Sequence, residues 1–198
     1  MANVDKPSGF KPVQFLNGAS WNGKFNIYYV PSTDNTAIYK GDLVAHGGTA
    51  DATGKYPTVA QAAATGTTNI GVAIGFGNTP QSMFDSSNLE RKYRPAATAM
   101  YVAVVDDPNV IFEIQENGES DPFVVADVGL NCDVIVGSGS TVTGMSGMEI
   151  DSDNYSEATA TAQVRLLRVA PYEDNELGAH CKWWVLINEH VLASTVGV

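Results

Sequence analysis

Carboxylates are the groups with most chemistry to offer in this chain, which carries 22 Asp and Glu. Asp106-Asp107, Glu113 with Glu116, and Glu173-Asp174 with Glu176 could each serve as a general acid and base, a task that needs two carboxyls held at a set separation across a substrate. Their sequence context gives a simpler role. Asp106-Asp107-Pro108-Asn109 has turn chemistry, and the Glu173 group follows Pro171 in a loop. Asp151-Ser152-Asp153-Asn154 with Glu157 gathers hard oxygen ligands of the kind Ca²⁺ takes. The EF-hand pattern fails there, because the sixth position is not Gly and the twelfth is Ala162. The segment reads as a solvated acidic loop.

Nucleophiles are scarcer. Cys181 adjoins His180, but neighbours on a strand point to opposite faces and do not pair as thiolate and imidazole. Cys132 has no local partner, His46 and His190 have nothing that unites them, and no G-x-S-x-G elbow is present. Gly75-Phe76-Gly77 and Gly137-Ser138-Gly139 lack the third glycine and the Lys-Ser/Thr of a phosphate loop. Zinc finds no C-x-x-C or paired-His spacing. The reading is of a non-enzyme with no cofactor, no catalytic residue and no metal ligand set. Aromatic residues remain. Trp183-Trp184 could stack on sugars, but flanking Val185-Leu186-Ile187 makes at least one of them core. Phe10, Phe15 and Trp21 read as contact anchors, with Lys11, Val13 and Leu16 beside them.

The elements that position these residues are strands. Lys24–Val30, Ile38–Ala45, Ile70–Phe76, Met100–Val105, Val110–Gln115, Cys132–Val136, Thr159–Val169 and Trp183–Ile187 are short and rich in β-branched and aromatic residues, with Gly and Pro turns between them. Both faces of the last are apolar, which predicts a central position. Asn117-Gly118 predicts a hairpin returning through Phe123–Ala126. His46–Thr68 reads as a long loop or weak hairpin, and Thr141–Thr143 has strand potential. Pro80–Tyr93 is the one helix candidate, capped by Ser82 and stopped by Pro95. The predicted fold is all-β, a jelly-roll-like sandwich or barrel over Lys24–Val198. An extended arm over Met1–Gly23 precedes it, in which Pro7 and Pro12 disfavour helix. Such an arm docks on its own body or on a neighbour.

Charge narrows the partners. Eleven Lys and Arg against 22 acids give a net charge of −11, which phosphate backbones and anionic lipid repel. No apolar run approaches the ~20 residues of a membrane span, and Met1–Ser20 lacks the apolar core of a signal peptide. Two distant cysteines read as buried free thiols of a reducing compartment.

Three stretches carry a resemblance: MANVDKPSGFKPV with LNGASWNGK; DDPNVIFEIQEN with DVGLN and GSGSTVTGMSGMEI; and LLRVAPYEDNELG with KWWVLINEH. Together they resemble tailed-bacteriophage head decoration, or cement, proteins. The resemblance implies an all-β virion protein, often trimeric, made in the host cytoplasm. It would bind the major capsid protein on the outer surface of the head and bridge capsomers. The alternative is a virion carbohydrate-binding module used in host attachment.

Overall fold

The computed structural model describes residues 3–66, 68–83, 92–156 and 161–193, with the side chains of 154–156 left aside. Among them are β1 (Lys11–Phe15), β2 (Asn26–Val30), β3 (Leu43–Ala50), β4 (Pro57–Gln61), β5 (Asn69–Gly77), β6 (Met100–Val105), β7 (Val110–Gln115), β8 (Asn131–Ile135), β9 (Glu149–Ser156), β10 (Val164–Val169) and β11 (Lys182–Ile187). The fold is all-β. Strands β2-β4-β3-β5-β6 close into a small barrel, and β1-β7-β11-β10-β8-β9 form a six-stranded sheet.

Period-two alternation builds both parts. On β6, Met100, Val102 and Val104 point into the barrel with Val30, Val59 and Phe76. Val105 points the other way, into the larger core between barrel and sheet. That core joins Leu43 and Val72 of the barrel to Phe112 and Ile114 of β7 and Trp183 and Val185 of β11. The parallel contact of β2 with β4 at Tyr29 and Thr58 closes the barrel. Strands β6 and β7 are joined by the expected Asp106–Asn109 turn, with Val110 N donating to Asp107 O at 3.1 Å and Asn109 N to Asp107 Oδ1 at 2.8 Å. Strand β11 lies between β7 and β10, as its two apolar faces predict. Trp183 enters the main core, while Trp184 lies on the opposite face under the Arg168 guanidinium, 4.3 Å from its ring centroid.

Several expectations are corrected. The Asn117-Gly118 hairpin does not form, and Val125–Asp127 is a 3-10 turn instead of a return strand. Asn117 instead ties the end of β7 to β9, its Oδ1 accepting Ser152 Oγ at 2.9 Å. Phe123 turns inward against Trp183, with ring centroids 5.7 Å apart. Thr141–Thr143 is a turn; of the two alternatives for His46–Thr68, the hairpin holds, formed by β3 and β4. Of the helix expected over Pro80–Tyr93, Pro80–Ser82 is a single 3-10 turn, and residues 84–91 lie outside the described residues. Its expected end is extended: Tyr93 stacks on Tyr39 at 4.9 Å, and Arg94 bridges Ile38.

Arg94 is the largest buried polar side chain, with 0 % of its surface exposed. Its guanidinium donates to four backbone carbonyls, those of Pro31, Asp34, Thr36 and Thr98. It also lies 3.5 Å from the Asp34 carboxylate. Burial lowers its pKa from the ordinary value, opposed by the Asp34 charge.

Candidate functional site

The arm lies on its own body. Residues Lys11–Phe15 pair antiparallel with β7 as the edge strand of the sheet, Lys11 opposite Glu113 and Phe15 opposite Val110. A bulge between Pro12 and Gln14 reverses side-chain parity, so Val13 packs on the outer cluster around Trp184 while Phe15 joins the main core. Phe10 is 2 % exposed and meets Phe112 edge to face at 6.1 Å. Its entry depends on Gly9, whose φ is +66° and where a Cβ would stand 2.4 Å from Gly41 O. Trp21 packs against the same core. The free edge of β1 is covered by its own continuation, with Ala19 O accepting from Phe15 N at 2.8 Å and Val13 O from Trp21 N at 3.1 Å. Of the six candidate contact residues, Lys11 and Leu16 are exposed.

The other sequence candidates scatter. Asp106 accepts Tyr28 Oη at 2.6 Å and Asn26 Nδ2 at 2.9 Å. Glu113 Oε2 accepts Tyr172 Oη at 2.6 Å. Asp151 and Asp153 are not in a loop but on one face of β9, alternating with a fully buried Ser152, and Asp151 Oδ1 accepts Asp153 N at 3.1 Å; Glu157 lies outside the described residues. Cys132 and Cys181 are buried free thiols. Burial pushes Cys181 up to about 11 and Cys132 well above its ordinary value, so both stay protonated at neutral pH. Trp183 and Trp184 are 0 % and 7 % exposed and offer no open face to a sugar.

One constellation escaped the sequence reading. Asp5, Glu149 and His180 bring a ligand atom each within 4.8 Å of one another, and no other group of three such residues does so among the described residues. Glu149 opens β9, and His180 immediately precedes Cys181 and β11. Glu116, just beyond β7, is fully buried, and its Oε2 accepts the His180 backbone N–H at 2.6 Å. Gln115 fixes the chain on both sides of Asp5, accepting Lys6 N at 3.2 Å and donating to Val4 O at 3.1 Å. The His180 ring lies against Gly118 so closely that a Cβ there would be 2.1 Å from Cε1. His180 itself has φ +58°, a left-handed conformation rare outside glycine.

Compared with known proteins, the chain matches no family model, no curated protein and no solved structure.

Burial, then the charges of Asp5 and Glu116, raise Glu149 from 4.5 to about 7. A carboxyl raised on folding gives stability that is complete below its unfolded pKa and lost as pH rises through the folded one. E149Q is therefore expected to match the parent near pH ~4 and to melt at a higher temperature near pH ~8, both in chelator. Thermal melts across that interval check this; a difference that does not grow with pH contradicts it.

A second surface is apolar. Val124, Val125 and Val128 are 51 %, 74 % and 47 % exposed on one short turn. Asp127 Oδ2 holds that turn by accepting Val124 N at 2.7 Å. Among the described residues, no helix is long and apolar enough to cross a membrane.

Proposed function

We propose that this protein decorates the outer surface of a bacteriophage head and stabilises the shell by bridging capsomers. Its partner in this reading is the major capsid protein, and it acts as a homotrimer, without nucleic acid or membrane. The sequence resemblance supplies the capsid. The observation that carries the contact is the Val124–Val128 turn: three exposed valines on a pinned backbone, attached to a rigid all-β body. Clustered apolar exposure of this kind marks contact surfaces, because isolated apolar residues are ordinary but contiguous ones cost solubility. The net charge of −11 supports an outward position, since the packaged genome repels it. Weak contacts repeated around a closed shell give high avidity without tight single contacts.

The test replaces Val125 by Asp. The residue is largely exposed, so folding stability is expected to stay within about 0.5 kcal/mol. Binding to expanded empty heads, read by co-sedimentation, is expected to fall at least about tenfold, as loss of an apolar anchor costs upward of ~1 kcal/mol per contact and recurs in every copy. L16D in parallel measures the share of the arm. Unchanged binding of both variants would exclude these two surfaces as the contact.

A further inference from the structure

The cluster of Asp5, Glu149 and His180 is held in place from several directions. Asn3 Oδ1 accepts Glu176 N at 3.1 Å, and its Nδ2 donates to Glu176 O at 2.6 Å and Ala179 O at 3.0 Å, which fastens the N-terminal segment to the loop that carries His180. Gln115 then fixes Val4 and Lys6 on either side of Asp5. Glu116 N donates to Cys181 O at 2.9 Å, and Asn117 N to Ile150 O at 3.2 Å, so the ends of β7, β9 and β11 are tied together beneath it.

Among the described residues, Glu116 Oε1, Glu149 Oε1 and His180 Nδ1 in this knot are buried without a hydrogen-bond partner, as is the neighbouring Asn117 Nδ2. Buried polar groups are nearly always satisfied, and an unpaired one is costly, more so when charged. Three carboxylates converge here, and among the described residues no Lys or Arg pairs with any of them. Repulsion with no cation to offset it, beside an imidazole nitrogen facing no donor, is the electrostatic pattern of a cation site and not of a structural hydrogen-bond network.

We propose that Asp5, Glu149 and His180 bind a divalent transition-metal ion of the Zn²⁺ class, which fastens the N-terminal segment to the ends of β9 and β11. Two carboxylate oxygens and one imidazole nitrogen suit Zn²⁺, and the imidazole ranks it above Ca²⁺ and Mg²⁺, which take oxygen ligands. Glu116 is a positioning residue: it grips the His180 backbone, sets the ring over Gly118, and adds negative charge beside the ligands. The inference is independent of capsid binding.

The test titrates ZnCl₂ into the full-length, chelator-stripped protein by calorimetry at neutral pH, with CaCl₂ as the comparison, and reads melting temperature in parallel. One saturable Zn²⁺ site with a raised melting temperature is expected. D5N and H180N are each expected to weaken it by roughly 100-fold, at or above the effect of losing a supporting group. Asp5 is exposed, so D5N keeps the fold, and asparagine tolerates the left-handed backbone at position 180. If H180N does not fold, D5N still decides. No binding at micromolar Zn²⁺, Zn²⁺ binding untouched by D5N, or Ca²⁺ binding as tight as Zn²⁺ would each overturn the proposal.

Discussion

Replacing Arg94 with methionine is expected to destabilise the protein by about 3–5 kcal/mol, the range for removing one partner of a buried charged network. The side chain is fully buried, and its donors satisfy the carbonyls of Pro31, Asp34, Thr36 and Thr98 at distances of 2.5–2.8 Å. Methionine matches much of the volume and none of the donors. Four carbonyls and the Asp34 carboxylate would then compete for water in a site closed by barrel packing. Each hydrogen bond to a charged donor is worth about 1.5–3 kcal/mol and the set is not additive, so the range stays below their sum. Lysine restores charge without the planar fork and is expected to recover less than half. Denaturant unfolding measures both. A loss under about 1 kcal/mol for R94M would mean that residues 31–36 hold their shape unaided.

Removing residues 1–21 is expected to abolish folding and not merely to free an arm. The deletion takes Phe10 out of the main core, where truncation of a buried aromatic alone costs about 3–5 kcal/mol. It removes β1 as well, leaving the β7 edge unpaired, and such an edge is a template for aggregation. The gentler F10A separates the two effects: it keeps the β1 ladder and leaves a void beside Phe112. F10A is expected to stay monodisperse with a lower melting temperature, and the deletion to aggregate. A deletion variant that melts with the parent's temperature and cooperativity would show that the segment is dispensable to the fold. For the same reason contacts with other proteins are better probed by point changes at Leu16 and Val125 than by truncation.

How legible the chain was depends on whether the decisive partners are near in sequence. Met100–Val105 and Val110–Gln115 were readable to the residue, because two apolar runs flank an Asp-Asp-Pro-Asn turn that can do little else. Trp183–Ile187 announced a central strand through its two apolar faces. Strand β9 is hidden because Asp151-Ser152-Asp153-Asn154 has the composition of a solvated acidic loop, while the alternation of Glu149, Asp151 and Asp153 with Ile150 and Ser152 marks two strand faces. Strand β1 is hidden in the arm by Pro7 and Pro12, which argue against helix and do not announce a strand, yet proline is tolerated on an edge strand beside a bulge, where Pro12 sits. Arg94 carried no signal, since its partners are backbone carbonyls that any residue can supply. The cluster at Asp5, Glu149 and His180 joins the two ends of the chain to its middle. No local spacing reveals it; only the ties from Asn3, Gln115 and Glu116 bring it together.

The most direct measurement of the capsid reading is cryo-electron microscopy of expanded empty heads incubated with the purified protein. Added density is expected on the outer surface at joints between capsomers, repeated with the shell's symmetry, and reduced by V125D. Heads that gain no external density, or protein found only inside the shell, would contradict it.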